Sequence, residues 1–257
     1  MKRILITGCS TGIGRALAIE LSNRGHQVIA TARKIESIAD VEASTKLQLD
    51  VCDTGSVLSA VAKCGEIDVL VNNAGLGMWG PVEAASEAEV HDIFETNVFG
   101  PLRIIRAVLP QMRQRRSGAI YQVSSAVAQR SNALLGHYAA TKAALEAYSA
   151  ALRIELAGFG ISVTNVILGP VETSFGANRR NPHMDEYAMV IEGMKRRIQG
   201  NRRNPATPVN VAKIVASSIE SRNPPMRLDG GGEALVAERR AMTDLDWERT
   251  SLEFMNS

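Results

Sequence analysis

A glycine-rich turn close to the amino terminus constrains the fold most. Residues 2–7 form a short apolar run that predicts a β-strand, and the sequence TGCSTGIG begins at its last residue. Gly8, Gly12 and Gly14 are spaced for a tight turn into a helix, and glycine lets the backbone come close to a ligand. Apolar residues then repeat at helical spacing over residues 13–21. This order of elements predicts a nucleotide-binding unit at the start of an α/β chain.

Strands and helices continue to alternate through Gly169. Further strands are predicted at residues 26–33, 46–51, 67–75, 118–125, 161–173 and 224–232. Helical patterns fall at residues 86–97, 102–115, 138–157, 185–199, 209–220 and in the tail from residue 233. The alternation predicts a doubly wound parallel sheet, and 257 residues fit one large α/β domain.

Composition and charge exclude several classes of protein. The net charge is +2 with both signs mixed along the chain, so no basic footprint for nucleic acid is present. No apolar run approaches about 18 residues, so no transmembrane segment is expected. Cys9, Cys52 and Cys64 form no CxxC pattern, and the four histidines form no metal-ligand cluster. These features predict reduced thiols, no metal and a cytoplasmic location.

The chemistry is predicted to centre on Tyr138 and Lys142 in the sequence YAATK. Residues four apart on a helix share a face, so the lysine ammonium can stabilise a tyrosinate. Unit charges about 4 Å apart at an effective dielectric near 20 interact by roughly 4 kcal/mol. That energy would lower the usual tyrosine pKa of about 10 by about three units, before desolvation opposes it. Such pairs also arise on helices by chance, but the other three tyrosines have no lysine four residues later.

The cofactor preference is predicted from the end of the second strand, ATAR. An acidic residue there binds the ribose 2′-hydroxyl of NAD(H), whereas an arginine accommodates the 2′-phosphate of NADP(H). Arg33 can make such a contact, although a solvated surface arginine is the alternative interpretation. The absent acid favours NADP(H) over NAD(H). Asp50, Asn73 and Gly75 are also expected at the carboxyl edge of the sheet, and Asn72 is interpreted as a turn former.

Two further stretches depart from the regular pattern. Asn97 lies inside a helical pattern, where asparagine is unfavourable, and this predicts either a kink or a polar role. Residues 174–207 are too long for a simple loop and are predicted to form a substrate lid. The paired arginines of this stretch, beginning with Arg179 and Arg180, are interpreted as a solvated face rather than an anion site.

Seven motifs then occur in order: TGCSTGIG, LDV, NNAG, TNVFG, VSS, YAATK and GPVET. Together they resemble the short-chain dehydrogenase/reductase family over nearly the whole chain. They look nearest to its single-domain branch that contains 17β-hydroxysteroid and retinol dehydrogenases. The resemblance implies a Rossmann-type sheet and a single NADP(H)-binding domain over residues 1–257. The chain departs from the family where Gly169-Pro170 replaces the commoner Pro-Gly, where Thr141 replaces a serine, and at Thr11, a position often basic in NADP(H) users.

The resemblance also implies roles for individual residues. Tyr138 would donate a proton to a carbonyl oxygen, and Lys142 would lower the tyrosine pKa and bind the nicotinamide ribose. Ser125 would hold the substrate oxygen near Tyr138, and Asn97 would support a water relay toward Lys142. Cofactor binding is implied for Gly8, Ser10, Thr11, Gly12, Ile13, Gly14, Asp50, Val51, Asn73, Ala74, Gly75, Val171 and Thr173, besides Arg33, Tyr138 and Lys142.

The implied activity is hydride transfer between NADP(H) and a hydrophobic ketone, aldehyde or secondary alcohol. An apolar pocket mouth is expected from Leu76, Met78, Trp79, Val127, Leu134, Leu135 and Phe175. The family implies a homodimer or homotetramer through residues 101–115 and 138–157. Two alternatives stay open: an NADP(H)-sensing regulatory or scaffold protein without turnover, and a 3-oxoacyl carrier-protein reductase whose arginines would meet an acidic carrier.

Overall fold

A computed structural model of the protein describes residues 1–200 and 205–253, and a parallel sheet forms its centre. Its seven strands have the order β3-β2-β1-β4-β5-β6-β7, and every pair is parallel. The strands are β1 (Arg3–Ile6), β2 (Gln27–Ala32), β3 (Thr45–Gln48), β4 (Val69–Asn72), β5 (Gly118–Ser125), β6 (Ile161–Leu168) and β7 (Arg227–Gly230). The predicted doubly wound sheet is confirmed.

Helices cover both faces of the sheet, and the tail is helical as predicted. They are α1 (Gly12–Asn23), α2 (Thr54–Cys64), α3 (Glu87–Phe94), α4 (Gly100–Arg115), α5 (Gly136–Ala157), α6 (Ala188–Gly200), α7 (Pro208–Glu220), α8 (Glu233–Arg240) and α9 (Asp244–Glu253). No helix in the described ranges combines the length and the apolar character needed to cross a membrane.

The core lies in two layers, because successive strand residues point to opposite faces. Ile4 belongs to a cluster that reaches Leu17 of α1 and Val211 of α7. Its neighbour Leu5 belongs to a second cluster, which reaches Ile104 of α4. The two layers hold the carboxyl ends of the strands at one edge, where the predicted site residues lie.

The strands end earlier than their apolar patterns predicted. β3 ends at Gln48 rather than residue 51, and β4 ends at Asn72 rather than residue 75. Directly after these ends, the Leu49 N–H still donates to the Ala32 carbonyl of β2 at 2.9 Å, and the Asn73 N–H donates to the Thr7 hydroxyl at 3.0 Å.

One interpretation is wrong. Asn72 is no turn former but the last residue of β4, only 3% exposed, and it is paired in register with Gln122 of β5. A neighbouring strand fixes Asn72 in the extended conformation, which its turn propensity alone does not reveal.

Candidate active site

The glycine turn is bound tightly to the NNAG segment after β4. The Asn73 Nδ2 donates hydrogen bonds to the carbonyls of Thr7 (2.9 Å) and Gly8 (3.1 Å). The Thr7 hydroxyl accepts from the backbone N–H groups of Asn73 and Ala74, each at 3.0 Å. A Cβ on Gly14 would lie 2.4 Å from both Asn73 Nδ2 and the Gly8 carbonyl oxygen. The close approach therefore leaves room only for glycine at position 14.

The first turn of α1 is open toward the carboxyl edge. Thr11 is its N-cap residue, its side chain makes no cap hydrogen bond, and the first turn carries no acidic residue. Gly12 has a φ of 58° and lies against Thr173, whose Cγ2 would be 3.3 Å from an added Cβ. Uncapped N–H groups at a helix start favour an anion, so this end of α1 fits the diphosphate of a dinucleotide.

The predicted residues on β2 and after β3 differ in their surroundings. Arg33 directly follows β2, is exposed, and has no hydrogen-bond or ion-pair partner among residues 1–200 and 205–253. The Asp50 carboxylate accepts from the backbone N–H of Cys52 at 2.9 Å, which shapes the loop after β3. Val51 is 7% exposed and packs against Gly100, so its side chain also forms part of the core.

Asn97 lies in a π-helical turn, Glu95–Phe99, that joins α3 to α4. Its Oδ1 accepts from the Leu76 N–H at 2.7 Å, and its Nδ2 donates to the Leu76 carbonyl at 2.8 Å and to the Thr141 hydroxyl at 3.1 Å. The Thr141 hydroxyl donates to the Tyr138 carbonyl at 2.8 Å. A polar role, one of the two alternatives predicted for Asn97, is confirmed by these hydrogen bonds, which link Leu76, directly after the NNAG segment, to α5.

Lys142 is buried close to the Asn97 side chain. It is 5% exposed, and its Nζ donates a 2.8 Å hydrogen bond to the Val123 carbonyl of β5. Its Nζ lies 5.7 Å from the centre of the Tyr138 ring. A Cβ on Gly75 would lie 3.3 Å from Asn97 Oδ1 and 3.8 Å from Lys142 Nζ. The site therefore brings together Tyr138, Lys142, Asn97 and Gly75.

Ser125 ends β5 beside Tyr138. Burial raises the pKa of Tyr138, and hydrogen bonding to Ser125 opposes that rise only in part. Burial also lowers the pKa of Lys142 to about 8, against the opposing charge of Glu146. The structure therefore contradicts the prediction that Lys142 lowers the tyrosine pKa toward working pH. Removal from water outweighs the attraction, because it disfavours the charged form of both groups.

Glu146 is a residue that the sequence interpretation missed. It is 8% exposed, and its carboxylate accepts from the Ser124 hydroxyl at 2.7 Å and from Gln129 Nε2 at 2.8 Å. Arg227 of β7 forms a 2.8 Å ion pair with it. The signal was present, since Tyr138, Lys142 and Glu146 repeat at four-residue spacing on one face of α5.

The apolar residues expected at the pocket mouth differ in exposure and form three groups. Trp79 and Leu134 are buried in a cluster with Ile191 and Met194 of α6, and Met78 is also buried. Phe175 is 39% exposed, and its ring centre lies 5.8 Å from that of Tyr138. Leu76, Val127 and Leu135 are partly buried.

The structure brings most of the predicted site residues to one edge of the sheet. In the described residues, no group of three or more His, Cys, Asp or Glu side chains could hold a metal ion. The arrangement can bind a dinucleotide beside α1 and present a partly buried tyrosine hydroxyl and a buried ammonium beside it. Fold and site together define a nucleotide-dependent class of enzyme.

Comparison with known proteins identifies the family. A family model described as "short chain dehydrogenase" matches residues 2–183. The human protein "Retinol dehydrogenase 8" is 41% identical over 187 residues, which are 68% of this chain but only 60% of the human protein. The "3-ketodihydrosphingosine reductase" of Bacteroides thetaiotaomicron is 37% identical over 89% of this chain and 87% of its own. The chain belongs to the short-chain dehydrogenase/reductase family and is an oxidoreductase.

Solved structures agree with this assignment. A short-chain dehydrogenase from Streptomyces avermitilis is 35% identical, with a TM-score of 0.82 over 98% of both chains. One from Burkholderia cenocepacia in complex with NADP is 25% identical, with a TM-score of 0.79 over 97% of this chain and 96% of its own. A 3-ketoacyl-(acyl-carrier-protein) reductase from Brucella melitensis complexed with NADH is 26% identical, with a TM-score of 0.77 over 90% of this chain and 98% of its own. Family members of this fold therefore bind either nucleotide.

Proposed function

We propose that the protein transfers a hydride between NADP(H) and an apolar ketone, aldehyde or secondary alcohol, with Tyr138 as the general acid–base. The observation that carries this proposal is the convergence of Tyr138, Lys142 and Ser125 beside the glycine turn. The tyrosine hydroxyl is protonated at neutral pH, because burial raises its pKa, and it is thus prepared to donate a proton.

The cofactor supplies the hydride when it is bound. Gly8, Gly12 and the uncapped start of α1 would hold its diphosphate, and Asn73, Ala74 and Gly75 would border its ribose side. Lys142 would reach the nicotinamide ribose, since its Nζ lies close to Gly75. Val171 and Thr173 would border the nicotinamide, and the tight packing of Thr173 on Gly12 supports that position.

During reduction, Ser125 would hold the carbonyl oxygen while the Tyr138 hydroxyl gives its proton to that oxygen. The Lys142 ammonium would stabilise the tyrosinate that this transfer leaves behind. Asn97 supports the arrangement by fixing Leu76 and Thr141 on either side of the site. Oxidation of an alcohol follows the same steps in reverse.

The tyrosine is tested by Tyr138→Phe. Turnover of an apolar ketone should fall by about 10²- to 10⁴-fold while NADPH still binds. Tyr148→Phe, on the exposed side of the same helix, is the matched control and should retain wild-type turnover. If Tyr138→Phe lost turnover but supported the function of the protein in the cell as well as wild type does, the alternative of an NADP(H) sensor without turnover would be favoured.

Arg33 carries the preference for NADP(H). It is exposed at the end of β2 and unpaired among the described residues, so its guanidinium is available to a 2′-phosphate. In Arg33→Ala the ratio of kcat/KM for NADPH over NADH should fall by about 10- to 100-fold. An unchanged ratio, measured with one ketone at fixed pH, would remove Arg33 from the proposal.

We further propose that residues 174–207 form the substrate lid of a single domain spanning residues 1–257. Trp79 and Leu134 pack against Ile191 and Met194 of α6, which ties this segment to the pocket mouth. Arg202 and Arg203 lie outside the described residues.

A homodimer or homotetramer in the cytoplasm is also inferred. Ile154 of α5 is 80% exposed, and a second copy of the helix could cover it.

A further inference from the structure

Arg179 and Arg180 lie beside the strand-like segment that leads away from Gly75. Trp79 donates a backbone hydrogen bond to the Arg180 carbonyl, and Arg180 donates one to the Gly77 carbonyl, each at 2.9 Å. This pairing sends the two arginine side chains to different neighbours. Arg180 forms a 3.1 Å ion pair with Asp92 of α3.

Arg179 instead borders the mouth of the site. Its Cζ lies 4.8 Å from the centre of the Trp79 ring, within the range of a cation–π contact. A Cβ on Gly77 would lie 3.0 Å from Arg179 Cβ and 2.9 Å from Phe175 Cε1, so both side chains flank the same glycine. Phe175 in turn contacts the Tyr138 ring. Phe175, which contacts Tyr138, and Arg179, whose guanidinium contacts Trp79, therefore lie side by side at Gly77.

The charge of Arg179 has no carboxylate to balance it within the described ranges. Its Nε donates to the neutral Asn181 Oδ1 at 2.9 Å, and neither Nη atom has a partner among the described residues. Burial lowers the pKa of Arg179, with no opposing contribution from a nearby carboxylate. A partly desolvated guanidinium with two free Nη groups is suited to bidentate binding of an anionic oxygen group.

The surroundings of this cation are apolar. Trp79 belongs to the cluster formed with Leu134, Ile191 and Met194, and Phe175 covers the approach to Tyr138. A ligand that reached from the tyrosine to Arg179 would therefore need an apolar body and an anionic end.

We propose that Arg179 selects an amphiphilic substrate, an aliphatic carbonyl compound whose far end carries a carboxylate or phosphate. This inference rests on the proposed function, since it places the carbonyl at Tyr138. It also departs from the interpretation of both arginines as one solvated face, because the two side chains have different partners.

The test uses medium-chain aliphatic ketones that differ only at the far end: a carboxylate, its methyl ester and a phosphate. With NADPH, wild type should show a kcat/KM for the carboxylate or phosphate about 10- to 100-fold above that for the ester. Arg179→Met should bring this ratio close to one. Arg180→Met, the matched control, should leave it unchanged. A wild-type ratio near one, or an equal loss in both variants, would overturn the proposal.

A binding measurement that requires no turnover can test the anion site at Arg179 independently of the proposed reaction. Decanoate should change the tryptophan fluorescence of Trp247→Phe protein, in which Trp79 is the remaining tryptophan, and decanol should change it at higher concentration only. Adding Arg179→Met should remove the difference. If no ketone is reduced but the difference persists, the reaction fails and the anion site stands. Equal binding of decanoate and decanol would refute the anion site even in an active enzyme.

Discussion

The inner face of α5 and the segment of residues 174–183 lie on either side of the same site but are built differently. On α5, Lys142 and Glu146 are at most 8% exposed, and buried hydrogen bonds hold each of them. In residues 174–183, Phe175 and Arg180 are exposed, and backbone pairing with Gly77 and Trp79 holds the segment. If the proposed reaction and substrate site are right, the chemistry depends on charges fixed inside α5, whereas substrate choice depends on an exposed segment that can change without disturbing those charges.

Among changes to the charged residues on the two sides of the site, the largest effect is expected from Lys142→Met, which removes the buried positive charge of α5. The kcat/KM for ketone reduction should fall by about 10²- to 10³-fold, because the developing tyrosinate loses its stabilising cation. The melting temperature should not fall in proportion, since a buried ammonium is costly to desolvate. Steady-state rates and thermal denaturation would measure both effects. Lys213→Met, an exposed change on α7, is the control, and a loss below tenfold in Lys142→Met would contradict a catalytic charge.

A smaller effect is expected from Glu146→Gln. The Glu146 charge raises the pKa of Lys142, so its removal should let Lys142 lose its proton at lower pH. The high-pH decline of reduction should then move down by about one pH unit, with about a tenfold loss on its alkaline side. The unfolding free energy should also fall by about 1–3 kcal/mol. This loss is smaller than the loss expected on breaking a fully buried ion pair, because Arg227 still forms an ion pair with Glu233.

The pH shift separates a positioning role of Glu146 from a purely structural one. Glu155→Gln, an exposed change on the same helix, should alter neither the pH profile nor the stability. If Glu146→Gln lost stability but its high-pH decline of ketone reduction did not shift, Glu146 would have a structural role only.

The smallest effect is expected from Gly77→Ala, which disturbs the other side of the site. The new methyl group would lie 2.9 Å from Phe175 and 3.0 Å from Arg179 Cβ, so residues 175–179 must shift. The KM for an apolar ketone should rise about threefold, while kcat stays within about twofold, because overpacking moves the exposed segment and leaves α5 in place. Steady-state kinetics would measure this split. A fall in kcat with an unchanged KM would show that the two sides of the site are not independent.

The α5 side could be predicted from sequence because its signals are local. The glycine turn, the alternation of elements and the spacing of Tyr138 and Lys142 are all short-range patterns that the fold preserves. A kink or a polar role at Asn97 could be predicted for the same reason, since asparagine is a poor residue inside a helix. Glu146 could have been found by extending the same spacing by one more turn.

What the sequence could not reveal depends on distant contacts. Arg179 and Arg180 look equivalent along the chain, and only their pairing with residues about 100 positions earlier sends one to Trp79 and the other to Asp92. The pKa of Tyr138 was predicted in the wrong direction, because the extent of burial is set by the whole fold rather than by the neighbouring lysine. Asn72 was misassigned because its extended conformation comes from pairing with β5.

The pH dependence of ketone reduction probes the pair of Tyr138 and Lys142 directly. With saturating NADPH, kcat/KM should be level near neutral pH and fall above about pH 8, as Lys142 loses its proton. Tyr138 titrates at higher pH, because burial raises its pKa, so the decline near pH 8 belongs to the lysine. The decline should be absent from the residual activity of Lys142→Met. A wild-type profile that stays level to about pH 10, or the same decline in Lys142→Met, would contradict a reaction that depends on the buried ammonium.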